Sequence, residues 1–198
     1  MNIYLIGSKS NLFKILSHKI YKNYQLLNVL YKKKNYKLKI NIYGSIQIKN
    51  LLMAVLAAKV CGLKINNIFK KIEKIKSVEG RLEPIRTLPN KSKIFLDYAH
   101  TPDALKNAIL SLQEHYQKKI SLVFGCGGDR DKSKRKLMGK IANKYCDRIY
   151  ITDDNPRTES PKKIRSQIML GLKNSNAIEI GNRKKAIINA LKNSYSQE

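Results

Sequence analysis

Apolar and polar residues alternate in the first part of the chain. Leu38, Ile40 and Ile42 are separated by polar residues over residues 37–43, which is the period of a half-buried β-strand. A second strand-like stretch covers residues 25–31, and a short basic run separates the two stretches. We therefore predict a β-hairpin.

The next apolar stretch has the length of a helix. Residues 48–61 are mostly apolar, which predicts a helix buried on most sides, and Gly62 is a stop signal for it. Asn66 or Asn67 can cap a second helix. The pattern then breaks at residues 77–80, so we predict a domain boundary there.

After residue 80 the pattern changes to strand–loop–helix units. This division gives two predicted domains, residues 1–78 and residues 79–198. The alternation with short connections predicts an α/β, Rossmann-like second domain, in which helices flank a parallel-rich sheet. The predicted strands cover residues 94–96, 120–124, 148–152 and 177–180, and the predicted helices cover residues 101–116, 134–145, 160–171 and 183–192.

Three loops of this domain follow predicted strands, and such sheets bind ligands beyond the carboxyl ends of their strands. The first loop, residues 97–103, carries Asp97 and His100 just before a helix. An anion could dock on the helix amides, and Asp97 could accept a hydrogen bond from a ribose hydroxyl. The spacing alone favours the alternative, in which Asp97 caps a turn and His100 is a surface residue.

The second loop, residues 125–132, contains three glycines that allow close backbone approach to a ligand. It is neither a Walker A loop nor a Gly-x-Gly-x-x-Gly motif, because no Gly-Lys-Ser/Thr follows and Arg130 occupies the last glycine position. Arg130 is a candidate carboxylate clamp. The alternative is a tight β–α turn with solvated charges, in which Cys126 is only a small residue.

The third loop, residues 152–158, places two acids, an amide and an arginine within six residues after a strand. Pro156 favours an extended conformation at Asn155 and helps to fix the loop. Carboxylates suit an ammonium group, and Asn155 with Arg157 suits a carboxylate, so the set fits a zwitterion. An ordinary Asp-Asn-Pro turn is the alternative, and Arg157 favours ligand binding over it.

Charge bears on the choice of partners. The chain has 198 residues, with 40 Lys+Arg against 14 Asp+Glu and a formal charge of +26. Lysines make up 32 of the basic residues and are spread along the chain beside 18 asparagines and 25 isoleucines, which AT-rich codon usage explains. Nonspecific polyanion binding is the alternative, but nucleic-acid surfaces usually favour arginine and interleave aromatic residues.

Targeting signals are not evident in the sequence. No apolar run approaches the roughly 18 residues of a membrane span, and the first residues lack the basic start of a signal peptide. The three cysteines have neither disulfide-framework nor zinc spacing. We therefore expect a protein of the reducing cytoplasm, with no membrane partner.

Four motifs occur in an order that is specific: GRLE at 80–83, DYAHTPD at 97–103, FGCGGDRDKSKR at 124–135 and TDDNPRTESP at 152–161. Together they resemble the C-terminal domain of the Mur ligases, most closely the MurE type, which adds meso-diaminopimelate to UDP-N-acetylmuramoyl-L-alanyl-D-glutamate (UDP-MurNAc-dipeptide). Residues 43–79 are similar to the end of that family's central ATPase domain.

The resemblance implies an ATP-dependent acid–amino-acid ligase. Its D-glutamate γ-carboxylate is activated as an acyl phosphate, which the amine of diaminopimelate attacks, and Mg²⁺ and basic side chains stabilise the charge. It also implies two groups of site residues. Those expected to bind diaminopimelate are Arg130, Asp154, Asn155, Pro156 and Arg157. Those expected to bind the nucleotide are Arg81, Asp97 and His100.

The chain also departs from the family pattern. It has no P-loop, the family's magnesium ligands and modified lysine belong to the part of the family enzyme that is not present here, and we assign no catalytic or metal residue. We expect a truncated ligase that lacks the substrate-binding first domain, most of the central domain and the last Gly-Lys-Gly-His-Glu segment. The alternatives are the C-terminal subunit of a split ligase and, against the ordered motifs, a nucleic-acid-binding protein.

Overall fold

The computed structural model describes residues 6–7 by their backbone, together with residues 13–173 and 177–194. The chain divides into two compact units. The first contains residues 1–83 and 114–116, and the second contains residues 84–113 and 117–198. The assignment of the first 78 residues to a ligase central domain stays a prediction.

A four-stranded sheet forms one side of the first unit, in the spatial order β1 (Ile6–Gly7), β2 (Phe13–Ile20), β3 (Gln25–Tyr31) and β4 (Lys34–Ile40). The predicted hairpin is confirmed as the antiparallel pair β3 and β4, but β4 begins at residue 34 rather than at the predicted residue 37. Its turn is tighter than expected, because Lys32 and Lys33 both have positive φ angles (46° and 63°), as a two-residue type I′ turn requires. The sequence did not predict β2, which pairs with β3.

Two helices cover this sheet, α1 (Ser45–Val60) and α2 (Ile65–Ile72). Five apolar side chains of α1 are buried in the core with Phe69 and Ile72 of α2. The expectation that α1 is buried on most sides is wrong, because Met53 is 61% exposed on its other face. The expected cap of α2 is also wrong: Lys64 precedes the helix, and both candidate asparagines lie inside it.

The second unit confirms the α/β prediction with three parallel strands in the order β7-β8-β9. These strands are β7 (Ser121–Phe124), β8 (Arg148–Ile151) and β9 (Ala177–Glu179). The strand β6 (Lys93–Leu96), expected in the same sheet, instead pairs with β5 (Glu83–Thr87). It is half-buried rather than buried, since Leu96 is 51% exposed.

Four helices accompany these strands, close to the predicted bounds. Thr101 caps the first of them as predicted, and its hydroxyl oxygen accepts a hydrogen bond from the Ala104 amide at 3.3 Å. A second core joins the sheet to the first three of these helices. No helix of the described residues is long and apolar enough to cross a membrane. The helices are α3 (Pro102–Tyr116), α4 (Ser133–Tyr145), α5 (Pro161–Met169) and α6 (Arg183–Lys192).

Candidate functional site

Two of the three predicted loops lie side by side at one edge of the parallel sheet. Phe124 ends β7 beside Ile151, which ends β8, so the loops that follow begin together. We call residues 125–132 the glycine loop and residues 152–158 the Asp-Asn-Pro-Arg loop. The Gly128 amide of the first donates to the Asn155 carbonyl of the second at 2.8 Å.

Glycines permit this close approach. A Cβ atom on Gly128 would lie 1.8 Å from the Pro156 carbonyl oxygen, and one on Gly125 would lie 2.3 Å from the Thr152 carbonyl oxygen. Both neighbours are backbone atoms, so no side-chain rotation relieves the overlap. The close packing of the two loops therefore requires glycine at both positions.

Side chains add further bonds between the two loops. The Asp129 carboxylate accepts from the Thr158 hydroxyl at 2.8 Å and from the Thr158 amide at 3.2 Å, and these bonds lower the pKa of Asp129. The Arg157 guanidinium donates to the Gly128 carbonyl at 2.5 Å. Each of these links joins residues 29 positions apart in the sequence.

A buried ion pair, which sequence reasoning missed, lies behind the loops. Arg135 is fully buried near the start of α4, and its guanidinium donates to both carboxylate oxygens of Glu159, at 2.7 and 2.9 Å. The bond from Arg135, helped by the Asp129 amide, lowers the pKa of Glu159 to about 2. Both residues stand in the motifs at 124–135 and 152–161, but neither of them was assigned a role from the sequence.

The residues expected to bind the amino acid lie on this joined surface. Arg130 follows directly on Asp129, and its side chain is exposed, as are those of Asp154, Asn155 and Arg157, while Pro156 is half-buried. Exposed guanidinium, amide and carboxylate groups are the chemistry that recognises a zwitterion.

One expected contributor is engaged elsewhere. The Asp153 carboxylate forms an ion pair with Arg165, which also donates to Glu179 at 2.7 Å. Of the two adjacent acids in the loop, Asp154 is therefore the one whose carboxylate faces solvent.

The loop of residues 97–103 is folded by short-range bonds. The Asp97 carboxylate accepts from the Ala99 amide at 2.9 Å, the turn geometry that the sequence allowed as an alternative. His100 is exposed, its Nδ1 donates to the Tyr98 carbonyl at 3.1 Å, and Lys134 donates to the His100 carbonyl at 2.9 Å. Arg81 is exposed and belongs to the first unit, so nucleotide binding by Arg81, Asp97 and His100 stays a prediction.

Cys126 has the structural role that the sequence favoured. Its sulfur is buried 3.7 Å from the Met138 sulfur, and burial raises the pKa of its thiol to about 11, so the thiol is neutral near pH 7. Nowhere in residues 13–173 and 177–194 do three or more His, Cys, Asp or Glu side chains cluster as metal ligands would.

A family profile matches this part of the chain. The profile of the Mur ligase, glutamate ligase domain, covers residues 80–198, which include all three loops. The chain belongs to the Mur ligase family. This confirms the resemblance that the four motifs predicted.

Relatives within the family are similar over most of the chain. It is 45% identical over 173 residues, 85% of the chain and 36% of the relative, to the UDP-N-acetylmuramoyl-L-alanyl-D-glutamate–2,6-diaminopimelate ligase of Rickettsia bellii (strain RML369-C). It is 37% identical, over 94% of the chain and 38% of the relative, to the enzyme of that name from Zymomonas mobilis. The chain spans about a third of the length of the curated relatives that it matches.

Solved structures agree with the fold. One structure of a UDP-N-acetylmuramoyl-L-alanyl-D-glutamate–2,6-diaminopimelate ligase aligns with 98% of the chain and 40% of its own, with a TM-score of 0.67 at 28% identity. A folylpolyglutamate synthase from Thermotoga maritima aligns with 97% of the chain and 43% of its own, with a TM-score of 0.72. At 19% identity the synthase supports the α/β fold alone.

Proposed function

We propose that this chain carries the amino-acid recognition surface of a MurE-type ligase, which joins meso-diaminopimelate to UDP-MurNAc-L-Ala-D-Glu at the expense of ATP. The observation that carries the proposal is the bonded pair of loops, in which Asp129, the residue before Arg130, is hydrogen-bonded to Thr158, the residue after Arg157. The names of the relatives support the choice of diaminopimelate.

The chemistry of the surface fits this amino acid. Diaminopimelate differs from lysine by a second carboxylate at the distal carbon, and the exposed guanidiniums of Arg130 and Arg157 suit a carboxylate. Asp154 suits the neighbouring ammonium group, and Asn155 can donate from its amide nitrogen to the carboxylate or accept from the ammonium group with its oxygen. Pro156 limits the conformations of the loop that holds them.

The nucleotide would be bound by the second group of residues. The Asp97 carboxylate suits a ribose hydroxyl, Arg81 suits a phosphate, and His100 would lie beside the base or sugar. ATP supplies the phosphoryl group that activates the glutamyl carboxylate. No metal role is assigned to the described residues, among which no three or more His, Cys, Asp or Glu side chains cluster as metal ligands would.

Full activity would also need the parts of the ligase that lie outside the third of the relatives' length that this chain matches. Those parts would lie either in the same polypeptide or in a separately encoded N-terminal piece. We place the reaction in the cytoplasm, where its UDP-linked substrate would be made. Purified 198-residue chain should form no tripeptide nucleotide from UDP-MurNAc-dipeptide, meso-diaminopimelate and ATP. Product formation by the chain alone would contradict this part of the proposal.

Calorimetric titration with meso-diaminopimelate, with L-lysine as the comparison ligand, tests the recognition surface directly. Arg130→Ala should weaken diaminopimelate binding by about ten- to a hundredfold, the value of a hydrogen bond to a charged group. Arg86→Ala, which removes another exposed arginine of the second unit, should leave the affinity unchanged. Equal affinities for the two amino acids, or no binding by a chain shown folded by circular dichroism, would contradict the proposal.

A further inference from the structure

The guanidinium of Arg135 is used almost completely inside the protein. Nη1 donates to Glu159 at 2.9 Å and to Gln167 at 2.6 Å, and Nη2 donates to Glu159 at 2.7 Å and to the Gly127 carbonyl at 3.2 Å. Four donor positions therefore have partners on three different segments: the glycine loop, Glu159 just after the Asp-Asn-Pro-Arg loop, and α5. A single lysine ammonium cannot span such a set, because its donors share one nitrogen.

These contacts hold the backbone on both sides of Gly128. Arg135 binds the carbonyl of Gly127, and Glu159 accepts from the amide of Asp129 at 2.7 Å. Arg130 is the next residue after this held segment, and Arg157 lies two residues before Glu159. The ion pair thus joins the backbone just before one exposed guanidinium to the backbone just after the other.

Stability alone explains the pair poorly. The attraction of a buried ion pair is largely offset by the loss of hydration, so such a pair gives little more stability than apolar residues of the same size would, although removing one partner alone is costly. Arg135 carries an added cost, because its buried Nε has no hydrogen-bond partner within the described part of the chain. A pair that carries this cost, and that holds the glycine loop against the residue just after the Asp-Asn-Pro-Arg loop, has a role in geometry.

We propose that Arg135 and Glu159 are positioning residues, which fix the spacing of Arg130 and Arg157 and so let the site select a dicarboxylic amino acid over lysine. This inference rests on the proposed function. It assigns no contact with the ligand to either residue of the pair.

The test uses the full 198-residue chain and two variants that break the pair to different degrees. Arg135→Lys keeps the charge but loses the set of four hydrogen bonds that the guanidinium donates. Glu159→Gln keeps the size but places an amide nitrogen against the guanidinium. The matched control is Glu73→Gln, which removes the carboxylate of the exposed Lys39–Glu73 pair in the first unit. Three quantities are measured: affinity for meso-diaminopimelate and for L-lysine, hydrogen exchange of individual amides, and the melting temperature.

Glu159→Gln and Arg135→Lys should weaken meso-diaminopimelate binding by about tenfold, while the weak binding of L-lysine stays within about twofold. The amides of Gly128, Asp129 and Thr158 should exchange at least several times faster in both variants without any ligand present. Control Glu73→Gln should change neither quantity. Loss of selectivity is the informative readout, because partial unfolding would weaken the binding of both amino acids.

Unchanged diaminopimelate selectivity in a folded Glu159→Gln protein would overturn the inference, and so would unchanged exchange of the three amides. A failure of the proposed function looks different: the unmodified chain would bind no diaminopimelate at all. In that case faster exchange of the three amides would still support the role of the pair in fixing the loops, and unchanged exchange would refute it. If Glu159→Gln does not fold, Arg135→Lys decides the question with the same measurements.

Discussion

The second unit holds its candidate binding loops in two different ways. The glycine loop and the Asp-Asn-Pro-Arg loop are fastened to each other, through Asp129 and Thr158 and through Arg157 and Gly128, across 29 residues of sequence. In the loop of residues 97–103, Asp97, His100 and Thr101 form hydrogen bonds with residues two or three positions away, and Lys134 donates to the His100 carbonyl. Long-range bonds fix the mutual position of two side-chain sets in advance, which favours selective recognition of a small rigid group.

Because the glycine loop and the Asp-Asn-Pro-Arg loop are packed closely against each other, a small change there should disrupt their arrangement. Gly128→Ala should abolish measurable diaminopimelate binding and lower the free energy of unfolding by about 1–3 kcal/mol, the usual cost of overpacking, because the new Cβ would overlap the Pro156 carbonyl. Titration calorimetry and urea unfolding measure the two effects.

The control for this change is Gly62→Ala, where a Cβ meets no atom within 4 Å but the φ angle of 94° disfavours alanine. It should cost about 1 kcal/mol of stability and leave diaminopimelate binding intact. A Gly128→Ala protein that binds as tightly as the unmodified chain would show that the close packing of the loops is not required.

A change in the loop of residues 97–103 should affect the binding of the nucleotide and not that of diaminopimelate. Asp97→Asn should weaken ADP binding by about tenfold, because a charged acceptor is replaced by a neutral amide, and should leave diaminopimelate affinity within about twofold. Parallel titrations with ADP and with meso-diaminopimelate measure both. Arg130→Ala should give the opposite pattern, and equal losses of both ligands in either variant would contradict the separation of the two regions.

The dependence of stability on acid pH should distinguish the buried Arg135–Glu159 pair from exposed ion pairs. The pKa of Glu159 is lowered from 4.5 to about 2, chiefly by its bond from Arg135, so the folded chain keeps this carboxylate ionised where the unfolded chain has protonated it. Its stabilisation is therefore complete above about pH 4.5 and is lost as the pH falls toward 2.

Urea unfolding of the unmodified chain and of Glu159→Gln should show a stability difference that is constant near neutral pH and shrinks in this acid range. The exposed pair of Glu73 should contribute little at any pH. A difference between the chain and Glu159→Gln that persists at pH 2 would mean that the carboxylate charge is not the stabilising feature.

Local signals in the sequence predicted most of the second unit. The bounds of α6 were predicted as observed, and Thr101 begins α3 through the expected hydroxyl cap, because caps and glycine stops act over one turn. The partner of β6 was missed, since pairing between strands depends on the whole sheet and not on the residues of one strand. The strand β2 was missed for a related reason: His18 and Lys19 interrupt its apolar pattern, and its pairing with β3 supplies the order.

The candidate site shows the same limit. Motif residues such as Arg130 and Asp154 were identified because charged and polar groups are grouped in loops that follow strands, and the structure leaves their side chains exposed. Arg135 stands among lysines and was assigned no role, yet it is fully buried. Its burial depends on Glu159, which is 24 residues away, and no local sequence pattern predicts a partner at that distance.

The smallest expected effect concerns the cap of α3. Thr101→Ala removes the acceptor for the Ala104 amide and should cost about 0.5–1 kcal/mol, toward the low end for caps because this bond is 3.3 Å long. The loss should appear in urea unfolding and as faster exchange of amides in the first turn of α3. Diaminopimelate affinity should not change, because the cap lies in the loop of residues 97–103 and not in the two loops that are bonded to each other. Thr101→Ser, which keeps a hydroxyl oxygen at the same position, should restore most of the stability, and weaker diaminopimelate binding in Thr101→Ala alone would show that the two regions are coupled after all.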